Sequence, residues 1–91
     1  MGANTQRLPK NNTKGVALSF VLGDWVLGAG FYTIDLQHNL ESSNISTEVF
    51  DSNDEEIEVD RIKIINTNTI RVFTVADPDC RFEGKAIIVA L

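Results

Sequence analysis

Thr69-Ile70-Arg71-Val72-Phe73-Thr74-Val75 decides the fold class. The segment is rich in β-branched and aromatic residues, which fit a pleated and half-buried surface. Its apolar residues alternate with a period of two, so Ile70 and Val72 share one face while Arg71 and Phe73 share the other. Working outward, the same period recurs. Tyr32, Ile34 and Leu36 alternate with Thr33 and Asp35, predicting a half-buried strand over 31–37. Ile45-Ser46-Thr47-Glu48-Val49-Phe50 predicts another, in which Thr47 and Val49 facing inward would turn Phe50 outward. Ile57 and Val59 continue the alternation, and Ile62 and Ile64 resume it one residue out of step. A bulge or short bend near Asp60-Arg61 accounts for that slip. Residues 85–91 form a nearly continuous apolar strand, and residues 16–22 read as a buried one.

The intervening segments are turn chemistry. Asp51-Ser52-Asn53-Asp54-Glu55 can bond its own backbone, Asn66-Thr67-Asn68 suits a tight hairpin through the tolerance of Asn for positive φ, and Ala76-Asp77-Pro78-Asp79 is a proline turn. No segment carries a convincing amphipathic helix of ten residues. The expected fold is therefore all-β: a small antiparallel β-sandwich or partly open barrel of six to seven strands.

The chain has 91 residues, a single cysteine and a net charge of −5. One cysteine cannot form an internal disulfide, so this small core has no staple. Association with further copies would compensate, which is a physical reason to expect a homo-oligomer. The charge is uneven. Residues 1–15 hold Arg7, Lys10 and Lys14 and no acid, whereas residues 16–91 hold thirteen acids against five bases, a balance of −8. The first segment is too polar to bury much surface and reads as a flexible basic arm, leaving 16–91 as the single β domain. Arg7, Lys10 and Lys14 are interface candidates, placed to lie on acids such as Glu55, Glu56 or Glu58 of a neighbouring copy. The acidic body argues against nucleic-acid binding, which needs clustered Lys and Arg on one face. No apolar run approaches the ~18–20 residues of a membrane-spanning helix. Asp24 ends the apolar region that begins at Val16 after about seven residues, too early for a secretion signal.

No catalytic or metal constellation emerges. An EF-hand loop starting at Asp51 would need glycine at its sixth position and glutamate at its twelfth, where Glu56 and Ile62 stand. The acidic run reads as a solvated hairpin tip. His38 and Cys80 are the only residues of their kinds, too few for a zinc site built from nitrogen and sulfur ligands. They read as a structural histidine at a strand end and a half-buried thiol. No serine lies in a Gly-x-Ser-x-Gly setting, and no glycine loop could cradle phosphate. The expectation is a non-enzyme without a cofactor.

Among the aromatics, Trp25, Phe50 and Phe73 are interface candidates, because an aromatic on an otherwise polar face marks a protein-binding or sugar-binding surface. Trp25 or Phe50 would serve a glycan-binding module as stacking platforms for host cell-wall polymer. A peptide-docking adaptor that uses an open sheet edge is a further alternative.

Four segments in order carry a resemblance. They are Tyr32-Thr-Ile-Asp-Leu-Gln-His38-Asn39-Leu40, Ile45-Ser-Thr-Glu-Val-Phe-Asp51, Asn68-Thr69-Ile70-Arg71-Val72, and Gly84-Lys85-Ala86-Ile87-Ile88-Val89. Together they resemble a small β module of tailed-bacteriophage tail and tail-fibre proteins, with its His-Asn-Leu corner, Asn-Thr-x-x-Val strand and glycine before the last strand. The resemblance covers residues 31–91. It implies a structural or adsorption role in a virion, in tail, tail fibre or baseplate, without catalysis. It also implies symmetric assembly, commonly three-fold, with partners among its own copies and other tail proteins.

Overall fold

Ile70 and Val72 are 0% and 2% exposed, at the centre of the core. The computed structural model describes residues 14–91, so Arg7 and Lys10 lie outside the described residues. Seven strands follow in order: β1 (Lys14–Phe20), β2 (Val26–Leu27), β3 (Phe31–Gln37), β4 (Ile45–Asp51), β5 (Arg61–Asn66), β6 (Thr69–Val75) and β7 (Gly84–Ala90). One short 3-10 turn, Leu22–Asp24, interrupts them. All pairings are antiparallel, in a three-stranded sheet β1-β7-β4 and a four-stranded sheet β2-β3-β6-β5. The two sheets do not close into a barrel.

The core lies between the sheets. Phe20 of β1, Val49 of β4, and Ala86 and Ile88 of β7 meet Ile34 and Leu36 of β3 and Ile70 and Val72 of β6. Each strand supplies alternate residues, so the period-two pattern is the core pattern. Full burial of each Ile or Val side chain contributes roughly 1.5–3 kcal/mol.

Several expectations shift. The first strand spans Lys14–Phe20 rather than 16–22, taking Lys14 and Gly15 opposite Ala90 and Val89. It is half-exposed rather than buried, because it is a sheet edge with one face in water; Val21 and Leu22 beyond it are exposed. Residues 57–59 are not a strand, since Ile57 N–H donates to Val49 O (2.8 Å) on the edge of β4 and the chain then crosses to the other sheet. The crossing ends in a bend at Asp60, whose N–H donates to Phe73 O (3.0 Å) and whose carboxylate accepts from Val75 N–H (2.9 Å). The register shift of β5 falls later, between Ile64 and Asn66. The Asn66–Asn68 turn needs no positive φ. Asn66 Oδ1 accepts from Asn68 N–H (2.8 Å), an Asx turn that supplies the bend.

Candidate functional site

The motif residues are built into two structural locks. At the end of β3, His38 and Asn39 both donate their N–H groups to Asn68 O (2.8 and 3.3 Å), and Glu41 N–H donates to Asn68 Oδ1 (2.8 Å). Asn39 (φ 57°) and Glu41 (φ 54°) take the left-handed conformation, which turns the chain out of one sheet. His38 is 3% exposed, and its Nδ1 accepts from Leu40 N–H (3.1 Å), while Leu40 packs on the core. The histidine is thus an acceptor that closes the corner. His38→Ala is expected to cost about 2–3 kcal/mol, from an unsatisfied amide and an unfilled site. His38→Asn, whose Oδ1 can take the place of Nδ1, is expected to recover about half of that. Urea unfolding of both variants measures the difference, and equal losses would remove the acceptor role.

The second lock is Gly84, opposite Asp51 where β7 meets the end of β4. A Cβ there would overlap Phe50 O and come within 2.8 Å of Asp51 Cα. Both obstacles are backbone, so only glycine permits the approach.

The outward face of the four-stranded sheet carries Phe31, Phe73 and Arg61. The phenyl rings meet edge to face with centroids 6.0 Å apart, and the Arg61 guanidinium lies 4.1 Å from the Phe73 centroid. Next along the strands, Arg71 grips Asp35 with two hydrogen bonds (2.7 and 3.1 Å). Those bonds hold the Asp35 carboxyl below its usual range, and raise Arg71 in turn. Because β2 has only two residues, paired with Tyr32 and Thr33, the edge of β3 from Ile34 to Gln37 is left without a strand partner among the described residues. A groove of about 540 Å³ runs beside it, lined by Phe20, Asp24, Val26, Leu36, Asp35 and Arg71 among others.

The opposite edge of this sheet is more open still. All six residues of β5 are exposed, with Ile62, Ile64 and Ile65 at 38%, 44% and 38%. Ile62 and Ile64 pair with Val72 and Ile70, so they point to the core side. They stay in water because the facing sheet has three strands and this one has four. An exposed apolar edge strand offers both unpaired backbone groups and apolar side chains to another chain.

The candidate residues are not brought together. Trp25, expected as an exposed platform, is 5% exposed and belongs to the core. Its ring packs against Phe20 and Phe82 (centroids 5.6 Å each), and its Nε1–H donates to Phe82 O (2.9 Å). Phe50 is half-buried on the outer side of the three-stranded sheet, opposite Lys85. Phe73 faces outward from the other sheet, half-buried. Lys14 is exposed at the start of β1, while Arg7 and Lys10 are outside the described residues. Cys80 is exposed rather than half-buried, because it sits in the loop that follows the proline turn. His38 bonds to Asn68 and Cys80 to Val75, at opposite ends of β6. Seven residues at ~3.3 Å each keep them about 20 Å apart, too far for a nucleophile–base pair. Among the described residues no group of three or more His, Cys, Asp or Glu could hold a metal ion, and no helix is long and apolar enough to cross a membrane.

Sequence reasoning missed the isoleucines of β5 and the pairing of Phe31 with Phe73. The first left no signal of its own, since Arg61-Ile62-Lys63-Ile64 alternates as a core strand does. Comparison with protein-family models, curated proteins and solved structures finds no match.

Proposed function

We propose that this chain is a non-enzymatic assembly module of a tailed-phage virion, working in tail, tail fibre or baseplate through contacts with its own copies and with neighbouring tail proteins. The observation that carries the assembly part is β5, an edge strand with three isoleucines in water. Arg61, Lys63 and the register shift between Ile64 and Asn66 guard this edge against indiscriminate strand pairing, while its isoleucines stay available to a charge-matched partner. The virion part rests on the resemblance of residues 31–91 to tail and tail-fibre modules. Its motif residues do structural work here: His38 and Asn68 close the corner, and Gly84 admits the close approach of β4 and β7. The glycan-binding alternative loses Trp25, which is in the core, and is left with Phe50 alone, half-buried on the outer side of the three-stranded sheet.

Sedimentation velocity and light scattering from micromolar to millimolar concentration test the assembly reading. The expected result is a mass that rises with concentration above the 10.1 kDa of one chain. A strict monomer throughout overturns it. Detection of the chain in purified particles by mass spectrometry tests the virion reading, and its absence there overturns that part alone.

A further inference from the structure

The side of the sandwich where β4 and β5 lie separates its charges. Ile57 is hydrogen-bonded to Val49 of β4, and Asp60, three residues later, to Phe73 of β6 beside β5. This crossing places the two edges on one side of the molecule. The edge of the three-stranded sheet is acidic, with Glu48 on β4 and Glu55, Glu56 and Glu58 beside it, all exposed. The edge of the four-stranded sheet is basic, with Arg61 and Lys63 on β5. Among the described residues none of these six side chains is in an ion pair. Between the two edges lie Ile62 and Ile64, on the core side of β5 yet uncovered.

We propose that this side is a two-fold contact between two copies of the chain, in which β5 of each copy lies along the Glu48–Glu58 edge of the other. The inference rests on the assembly reading and names its contact. A two-fold axis normal to this side exchanges the two sheet edges, so one surface serves both partners. Each basic edge then meets an acidic edge twice over, and the uncovered isoleucines enter the interface. The competing arrangement, β5 directly against β5, brings Arg61 and Lys63 of the two copies side by side, and like charges facing each other are unfavourable. Charge thus selects the exchanged arrangement. With Ile62 and Ile64 as its apolar centre and charges around them, the contact offers little apolar surface, so the association is weak, in roughly the micromolar range or above.

The test is a reciprocal charge reversal followed by sedimentation. One variant carries Arg61→Glu with Lys63→Glu; the other carries Glu48→Lys, Glu55→Lys, Glu56→Lys and Glu58→Lys. All six residues are exposed, and thermal unfolding confirms that each variant is folded. Each variant alone is expected to associate at least about tenfold more weakly than wild type, because both of its edges now have one sign. An equimolar mixture is expected to recover association as a heterodimer, since each acidic edge again meets a basic one. Added salt should weaken the wild-type contact. If wild type associates and each reversed variant does so equally, the contact is overturned while the assembly reading stands. If the mixture fails to associate where wild type does, the exchanged arrangement is overturned. A wild type that stays monomeric overturns both.

Discussion

Gly84→Ala is expected to remove about 4 kcal/mol or more of stability, the largest single-residue effect in the domain. The added methyl would overlap Phe50 O and press on Asp51 Cα, and neither can move without opening β4 from β7. The strand that carries Gly84, β7, is the middle of the three-stranded sheet, because it also pairs with β1. Overpacking against a side chain can relax through a rotamer change, but overlap with backbone cannot. A domain of this size has only about 5–10 kcal/mol in total, so the variant should be near the edge of folding. Urea titration followed by the fluorescence of Trp25, the sole tryptophan, reads this directly. Gly23→Ala is the control. Its Cβ would meet nothing within 4 Å, and its midpoint should stay close to wild type. A Gly84→Ala midpoint equal to that of Gly23→Ala would show that the sheet accommodates the methyl and that the glycine has no packing role.

Trp25→Ala is expected to cost about 3–5 kcal/mol, as for other large aromatic truncations in cores. Three rings share the cost. Phe20 meets Trp25 edge-on at 5.6 Å and Phe82 at 5.4 Å, and Trp25 tilts against Phe82 at 5.6 Å. Phe20 comes from β1, Trp25 precedes β2, and Phe82 lies in the loop before β7, so the cluster ties one end of the sandwich together. Removing the indole also leaves Phe82 O without the donor it now has. Trp25→Phe keeps much of the apolar area but not the N–H, and should lose roughly half as much. Thermal unfolding by circular dichroism measures both variants. A Trp25→Ala variant of wild-type stability that lost only binding to cell walls would reverse the assignment, returning Trp25 to the surface role that its burial denies.

Strands β3, β4, β6 and β7 were legible because each buries one face. Ile70 and Val72, Ile34 and Leu36, and Ile88 all carry their burial in a period of two, and their outward neighbours Arg71, Phe73 and Asp35 follow from the same count. Trp25 was not legible in this way. It sits between a 3-10 turn and a two-residue strand, with no period to assign it a side, and its burial depends on Phe20 and Phe82, which are distant along the chain. Residues 57–59 misled for the opposite reason. Their alternation is real, with Ile57 and Val59 half-buried, but it belongs to a crossing between sheets rather than to a ladder. The exposure of β5 could not be read from its own residues. Ile62 and Ile64 have the pattern of core positions, and only the mismatch of three strands against four leaves them in water. The role of His38 was legible as structural, whereas the bond from Leu40 that defines it required the left-handed turn at Asn39.

The pairing of β1 with β7 has a mechanical consequence. Lys14 stands opposite Ala90, so the first and last strands are antiparallel neighbours whose outer ends emerge side by side. Tension applied between those two ends would open the β1–β7 ladder from Lys14 and Ala90 toward Phe20 and Gly84, loading its hydrogen bonds in succession rather than all together. A domain held this way unzips under modest pull. Load carried through copies joined side by side would bypass that seam.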